Sequence, residues 1–167
     1  MIRFVGGAMI CTVSSYFGFY MADRLKKRRN FLREMVNSLS FIQREMEFGR
    51  YELHRIFANL CDTATLFGFF KICNDKIEDW GIKKSWEHAV CEISCDACLK
   101  TEDKAALMTL SRELGMTDIN GQRKAIERTV SALAECEKKA DEEYIRLSKA
   151  YRGCGVLLGV FFLILSI

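Results

Sequence analysis

Residues 31–60 read FLREMVNSLSFIQREMEFGRYELHRIFANL, and their spacing decides the fold. Apolar side chains recur at Leu32, Met35, Leu39, Ile42, Met46, Leu53, Ile56 and Leu60, in steps of three and four that pass through Gly49. An α-helix turns once in ~3.6 residues, so this alternation keeps one side of a helix apolar along its length. The stretch therefore predicts one long helix with a seam for neighbouring helices. Glycine at position 49 weakens a helix by ~1 kcal/mol relative to alanine, so a close crossing or a kink is expected there.

The same reading extends towards the C-terminus. Asp62 or Thr63 can cap a second helix carrying Leu66, Phe67, Phe69, Phe70, Ile72 and Ile77, ending near Trp80-Gly81. A third carries Trp86, Ala89, Val90, Ile93 and Ala97, and Thr101 can cap a fourth with Leu107, Leu110 and Leu114 inward and Gly115 at its C-terminal turn. Asp118 caps the last and longest, with Ile126, Val130, Leu133, Ala140, Tyr144, Leu147 and Tyr151 on its seam and Glu137 as the one polar interruption. No turn signal separates that helix from the hydrophobic C-terminus. The chain has no proline and only 11 glycines, whereas a sheet-rich protein needs many turns built from both. The fold class expected is all-α, an antiparallel helical bundle flanked by N- and C-terminal transmembrane helices.

Those flanks follow from how charge is distributed. Mean hydropathy is near zero, as in an ordinary soluble protein. Yet 24 of the 25 Lys and Arg residues, and all 22 acids, lie between residues 23 and 152. The near balance in that middle segment excludes a nucleic-acid surface, which needs a clustered basic excess. Phe4 to Ala22 is free of charge. As a helix it would extend ~28 Å, close to the ~30 Å hydrocarbon core of a bilayer, with Tyr16 and Tyr20 able to sit at headgroup level. A cleaved signal peptide fits poorly, because cutting after Ala22 places bulky Tyr20 where a small residue is required. Cys11, preceded by Ile10, is no better as a lipid-attachment cysteine. From Gly153 to Ile167 the chain is again uncharged, and counting from Tyr151 gives a short span, with a buried core helix as the alternative reading. Small residues recur four apart in both ends (Gly7, Cys11 and Ser15; Ser14, Gly18 and Ala22; Gly155 and Gly159), a spacing that lets membrane helices approach closely.

The expected organisation is therefore a transmembrane helix over 1–22, a cytoplasmic helical bundle over 23–150 and a hydrophobic, membrane-spanning helix over 151–167. The orientation comes from Arg24, Lys26, Lys27, Arg28, Arg29 and Arg33 after the first span and Arg146, Lys149 and Arg152 before the second. Lys and Arg next to a span are retained on the cytoplasmic side.

Candidate chemistry is sparse. Cys91, Cys95 and Cys98 have the spacing by which some enzymes hold a [4Fe–4S] cluster on three thiolates. Such a cluster sits on a loop of a large α/β barrel, however, and no βα pattern occurs here. Free cysteine behaves as a small hydrophobe, so the trio is expected to pack in the core, in phase with the apolar residues around it. The other cysteines (11, 61, 73, 136 and 154) are scattered, two of them in the hydrophobic ends, and a cytoplasmic middle domain favours reduced thiols over disulfides. His54 and His88 stand alone on helices. There is no phosphate-binding glycine loop and no nucleophile elbow. No catalytic residue, cofactor site or metal site is assigned, and the chain does not read as an enzyme.

Taken in order, several short motifs resemble the stage III sporulation protein AB family of endospore-forming bacteria. They are Arg33-Glu34 with Ser38-Leu39; Glu45-Met46-Glu47-Phe48-Gly49 followed by Leu53; Ser85-Trp86-Glu87; Leu114-Gly115 with Asp118 and Gln122; and the last helix through Tyr144 into Gly153 and Gly155. The chain departs from the family pattern in its cysteine richness. The resemblance implies a platform and assembly component of the transenvelope channel complex joining mother cell and forespore, in the mother-cell membrane around the forespore. It also implies a domain similar to those of type II secretion and type IV pilus platform proteins. The partners implied are the stage III sporulation protein AA ATPase, the other subunits of the complex and the lipid bilayer, with a homo-oligomer also open. The rival expectation is a membrane-anchored iron–sulfur or redox protein using Cys91, Cys95 and Cys98.

Overall fold

The computed structural model describes the backbone of residues 2–48, 60, 68–114 and 119–165, and side chains there apart from a few at the helix ends. The Gly49 kink, the caps at Asp62, Thr63 and Asp118, Gly115, His54 and Cys61 lie outside the described residues. Among the described residues four helical elements follow in order: α1 (Ile2–Phe48), α2 (Phe69–Asp96), α3 (Thr101–Glu113) and α4 (Ile119–Leu165). Among the described residues there is no strand, so the chain is all-α as expected. It folds as two compact units, residues 30–138 and residues 1–29 with 139–167.

In the first of these units the predicted seam becomes the core. Leu32, Met35, Leu39 and Ile42 of α1 are all buried, as is Phe31 beside them, and Leu60 is buried too. The same unit also buries Phe69, Phe70 and Cys73 at the start of α2, Trp86, Ala89, Val90 and Ile93 further along it, Leu107 and Leu110 of α3, and Ala125, Ile126, Leu133 and Cys136 of α4. Phe69 is the hub: its ring lies edge-on to Phe31 at 6.4 Å, to Phe70 at 5.3 Å and to Trp86 at 4.8 Å. Edge-to-face contacts place the positive rim of one ring against the negative face of another. The buried indole of Trp86 donates from Nε1 to the Leu107 carbonyl at 2.9 Å, which satisfies its one polar group and ties α2 to α3.

The contact between Phe69 and Trp86 shows that α2 is folded back on itself. Residues 17 apart on a straight helix would be ~25 Å apart. The reversal is at Gly81, whose φ of 73° and ψ of 165° belong to a region open almost only to glycine. The expected boundary near Trp80-Gly81 is therefore a helix-to-helix turn, with Cys73 Sγ directed at the Ser85 carbonyl across it at 3.7 Å.

Three local expectations need correction. The cap of α3 is Lys100 rather than Thr101: the Lys100 backbone N–H donates to the fully buried Asp103 carboxylate at 2.9 Å. On α4, Tyr151 is exposed and Val130 only half-buried, while Thr129 and Ser148 share the buried side with Ile126, Leu133 and Ala140. The cysteine trio is not in the core. Cys91 and Cys95 are exposed and Cys98 is half-buried, whereas Trp86, Ala89, Val90, Ile93 and Ala97 are buried. At ~100° per residue Cys91 and Cys95 do share a face, but it lies roughly 160° from Ile93, on the opposite side of the helix. Cys98 ends the helix in the left-handed region at φ 55°, with Cys98 N–H bonded to the Cys95 carbonyl and Leu99 N–H to the Ser94 carbonyl. That is the terminal arrangement normally made by glycine.

In the other unit the outer stretches of α1 and α4 lie side by side. The last helix continues into the hydrophobic C-terminal stretch without a break, as expected. The expected spans 4–22 and 151–167 include positions outside the described set (side chains at 4, 5, 7, 8, 10, 162, 163 and 165–167), and among the described residues no helix is long and apolar enough to cross a membrane.

Candidate functional site

The helix pair made by residues 1–29 and 139–167 is where the arrangement departs most from that of a water-soluble bundle. Its inner surface is built from the small residues that recur four apart. Gly18 and Gly155 meet backbone to backbone: a Cβ on Gly18 would sit 2.5 Å from the Tyr151 carbonyl oxygen, and one on Gly155 would sit 3.1 Å from the Gly18 Cα. One turn further along, a Cβ on Gly159 would come within 3.0 Å of the Cys11 backbone. Ser14 Oγ donates to the Gly155 carbonyl at 2.9 Å, adding a hydrogen bond across the seam. Ala22 extends the same buried line. Close backbone approach of this kind, with a hydroxyl bonding across, is how helices associate where no hydrophobic force drives them together.

The outer surface is the reverse. Met9, Val13, Tyr16, Phe17, Phe19 and Tyr20 on α1 and Val156, Leu157, Leu158, Val160, Phe161 and Ile164 on α4 are each between 42% and 74% exposed. Fully burying one such side chain is worth ~1.5–3 kcal/mol, so covering about half the surface of twelve would gain on the order of 10 kcal/mol. Small residues inside and large apolar residues outside is the opposite of the pattern that water selects.

Away from the glycine seam the pair is joined by charge. Arg28 is almost fully buried and donates from Nη1 to Glu143 Oε2 at 2.9 Å. Arg29 lies 3.6 Å from Asp141, with its guanidinium 4.2 Å over the ring of Tyr144. A buried guanidinium without its carboxylate would be strongly destabilising. The sequence shows both charge runs but not this pairing, because helix phase alone cannot say which of four consecutive basic residues turns inward.

Cys91, Cys95 and Cys98, the one candidate ligand set, are not placed as a metal site. Among the described residues no group of three or more His, Cys, Asp or Glu side chains is placed to hold a metal ion. His88 lies 3.4 Å from Glu92, one turn along its own helix, and its ring stands 5.3 Å from Trp80. Trp80, Lys84, Glu87, His88, Cys91 and Met108 line a shallow open groove between the arms of α2 and α3.

Comparison with known proteins agrees with this architecture. A solved structure of a stage III sporulation protein AB (SpoIIIAB) superposes with a TM-score of 0.63, covering 71% of this chain and 96% of that one at 20% identity, which is a likeness of fold. Stage III sporulation protein AB of Bacillus subtilis (strain 168) is 24% identical over 170 residues, spanning 99% of each chain. The family model described as stage III sporulation protein AB matches residues 3–167, so the chain belongs to the stage III sporulation protein AB family.

Proposed function

We propose that the chain is a non-enzymatic, two-span membrane platform of the complex joining mother cell and forespore. In this reading its ends cross the mother-cell membrane and residues 23–150 form a cytoplasmic bundle. The bundle couples a cytoplasmic ATPase, the stage III sporulation protein AA, to assembly of the envelope part of the complex. Family membership supports the place in sporulation. The observation that carries the membrane reading is the inverted helix pair, with Gly18 and Gly155 inside and Phe17, Leu157 and Phe161 outside. Lipid tails are as apolar as leucine, so a bilayer removes the cost of the exposed side chains and leaves close packing to hold the helices. The basic residues flanking both spans support a cytoplasmic middle domain. The lack of a nucleotide-binding glycine loop in the sequence supports an ATPase supplied by a partner.

A topology assay on the full-length chain tests the anchoring. A reporter active only outside the membrane should work when fused after Ile167 and stay inactive when inserted beside Gly81. Activity at Gly81 would overturn the orientation, and an inactive C-terminal fusion would show that the last helix does not cross. Purification of the full-length protein from sporulating cells should bring the ATPase with it, and recovery of the other subunits without any ATPase would overturn the coupling role.

A further inference from the structure

We infer that the helix pair carries a collar of exposed cations that binds the phosphate headgroups of anionic phospholipids at one face of the bilayer. The inference rests on the membrane reading above and adds a lipid class to it. Contacts across the pair fix its antiparallel register. Gly18 meets Tyr151 and Gly155, Arg152 lies 5.9 Å over Phe19, Arg28 meets Glu143 and Arg29 meets Asp141. By interpolation Tyr20 is level with Tyr151, and Arg24 with Arg146. Three bands therefore follow one another along the pair. The exposed apolar side chains come first. The half-exposed rings of Phe19, Tyr20 and Tyr151 come next, at the level aromatic residues occupy where a bilayer meets water. Beyond them lie Arg24, Lys26, Lys27, Arg146 and Lys149, while Arg152 stands level with Phe19 inside the ring band, and all six are exposed.

This unit carries a net excess of cations. It holds ten Lys and Arg residues against the acids Asp23, Asp141, Glu142 and Glu143. Two of those acids are engaged inward by Arg28 and Arg29, and Asp23 lies 3.5 Å from Lys27. Arg152 is the hinge between bands, its guanidinium against the Phe19 ring while its side chain remains open to solvent. Each Lys or Arg near an anionic bilayer surface strengthens attraction by ~1 kcal/mol, about fivefold. Six such cations within ~12 Å along the pair, next to a lipid-facing surface on both helices, select negative headgroups over zwitterionic ones. The attraction weakens within a Debye length as salt rises.

The test uses full-length protein reconstituted in phosphatidylcholine vesicles with a trace of spin-labelled phosphatidylglycerol or spin-labelled phosphatidylcholine. The fraction of each label immobilised against the protein is read by electron paramagnetic resonance. At low salt the phosphatidylglycerol probe should be immobilised at least threefold more strongly, and the preference should fall towards one at high salt. The triple variant Lys26→Gln, Arg146→Gln, Lys149→Gln should lose most of it, while Lys83→Gln with Lys84→Gln, which removes exposed cations elsewhere, should keep it. Equal immobilisation of the two probes in the wild-type protein would overturn the collar while leaving the membrane reading intact. A wild-type preference that persists at high salt, or in the triple variant, would overturn it too. Immobilisation of neither probe would overturn the membrane reading, and the collar with it.

Discussion

Replacing Gly18 with alanine isolates the contact on which the helix pair depends. The new methyl group would lie 2.5 Å from the Tyr151 carbonyl oxygen and 3.1 Å from the Gly155 Cα, both backbone atoms that cannot rotate away. The helices must separate by several tenths of an ångström, and overpacking of this kind costs ~1–3 kcal/mol. Alanine also raises helix propensity by ~1 kcal/mol over glycine, which partly masks the clash. Gly153 is the internal control. It lies in the same helix pair, and a Cβ there meets nothing within 4 Å, so Gly153→Ala gains the propensity without the clash. The propensity gain cancels between the two variants, leaving a difference of ~1–3 kcal/mol. For a chain of this size that corresponds to roughly 3–10 °C in Tm. Circular dichroism melting of the full-length protein in a mild detergent should place Gly18→Ala below Gly153→Ala by that amount. Hydrogen exchange over residues 11–22 should rise in Gly18→Ala alone. Equal melting temperatures, or Gly18→Ala the more stable, would refute the close approach of Gly18 and Gly155.

Four further outcomes follow from the other unit. Trp86→Phe removes the indole N–H that ties α2 to the Leu107 carbonyl and trims a fully buried ring, and should lower stability by ~1–3 kcal/mol in chemical denaturation. Gly81→Ala forces a Cβ into backbone angles open almost only to glycine and should cost ~1–3 kcal/mol, even though no neighbour crowds the site. Cys98→Gly relieves a left-handed residue at φ 55° and should raise stability by ~1 kcal/mol, with a Tm at or below wild type counting against the assigned helix end. Cys91 and Cys95 should react with a water-soluble maleimide in the native protein, whereas Cys73 and Cys136 should react only after unfolding; peptide mass mapping distinguishes them.

Much of this architecture was legible in the order of residues because it depends on local periodicity. The three-and-four steps at Leu32, Met35, Leu39 and Ile42 state which side of α1 must be covered, and those four residues are buried. Gly81 breaks the helix because of its own backbone freedom, and Gly18, Gly155 and Gly159 announce a close approach because nothing larger fits there. What the order of residues left open was which surface meets which partner. Lys100 rather than Thr101 caps α3, since Asp103 turns back to the Lys100 amide once α2 and α3 have packed over it. The spacing of Cys91, Cys95 and Cys98 fits a shared face, yet the packed face is set by Trp86, Val90 and Ile93 closing on Phe69 and Leu107. Arg28 is one basic residue among four in sequence, and it is buried because Glu143 of α4 stands level with it. Periodicity is a property of one helix and can be read from it, whereas pairing belongs to two helices and exists only once their register is fixed.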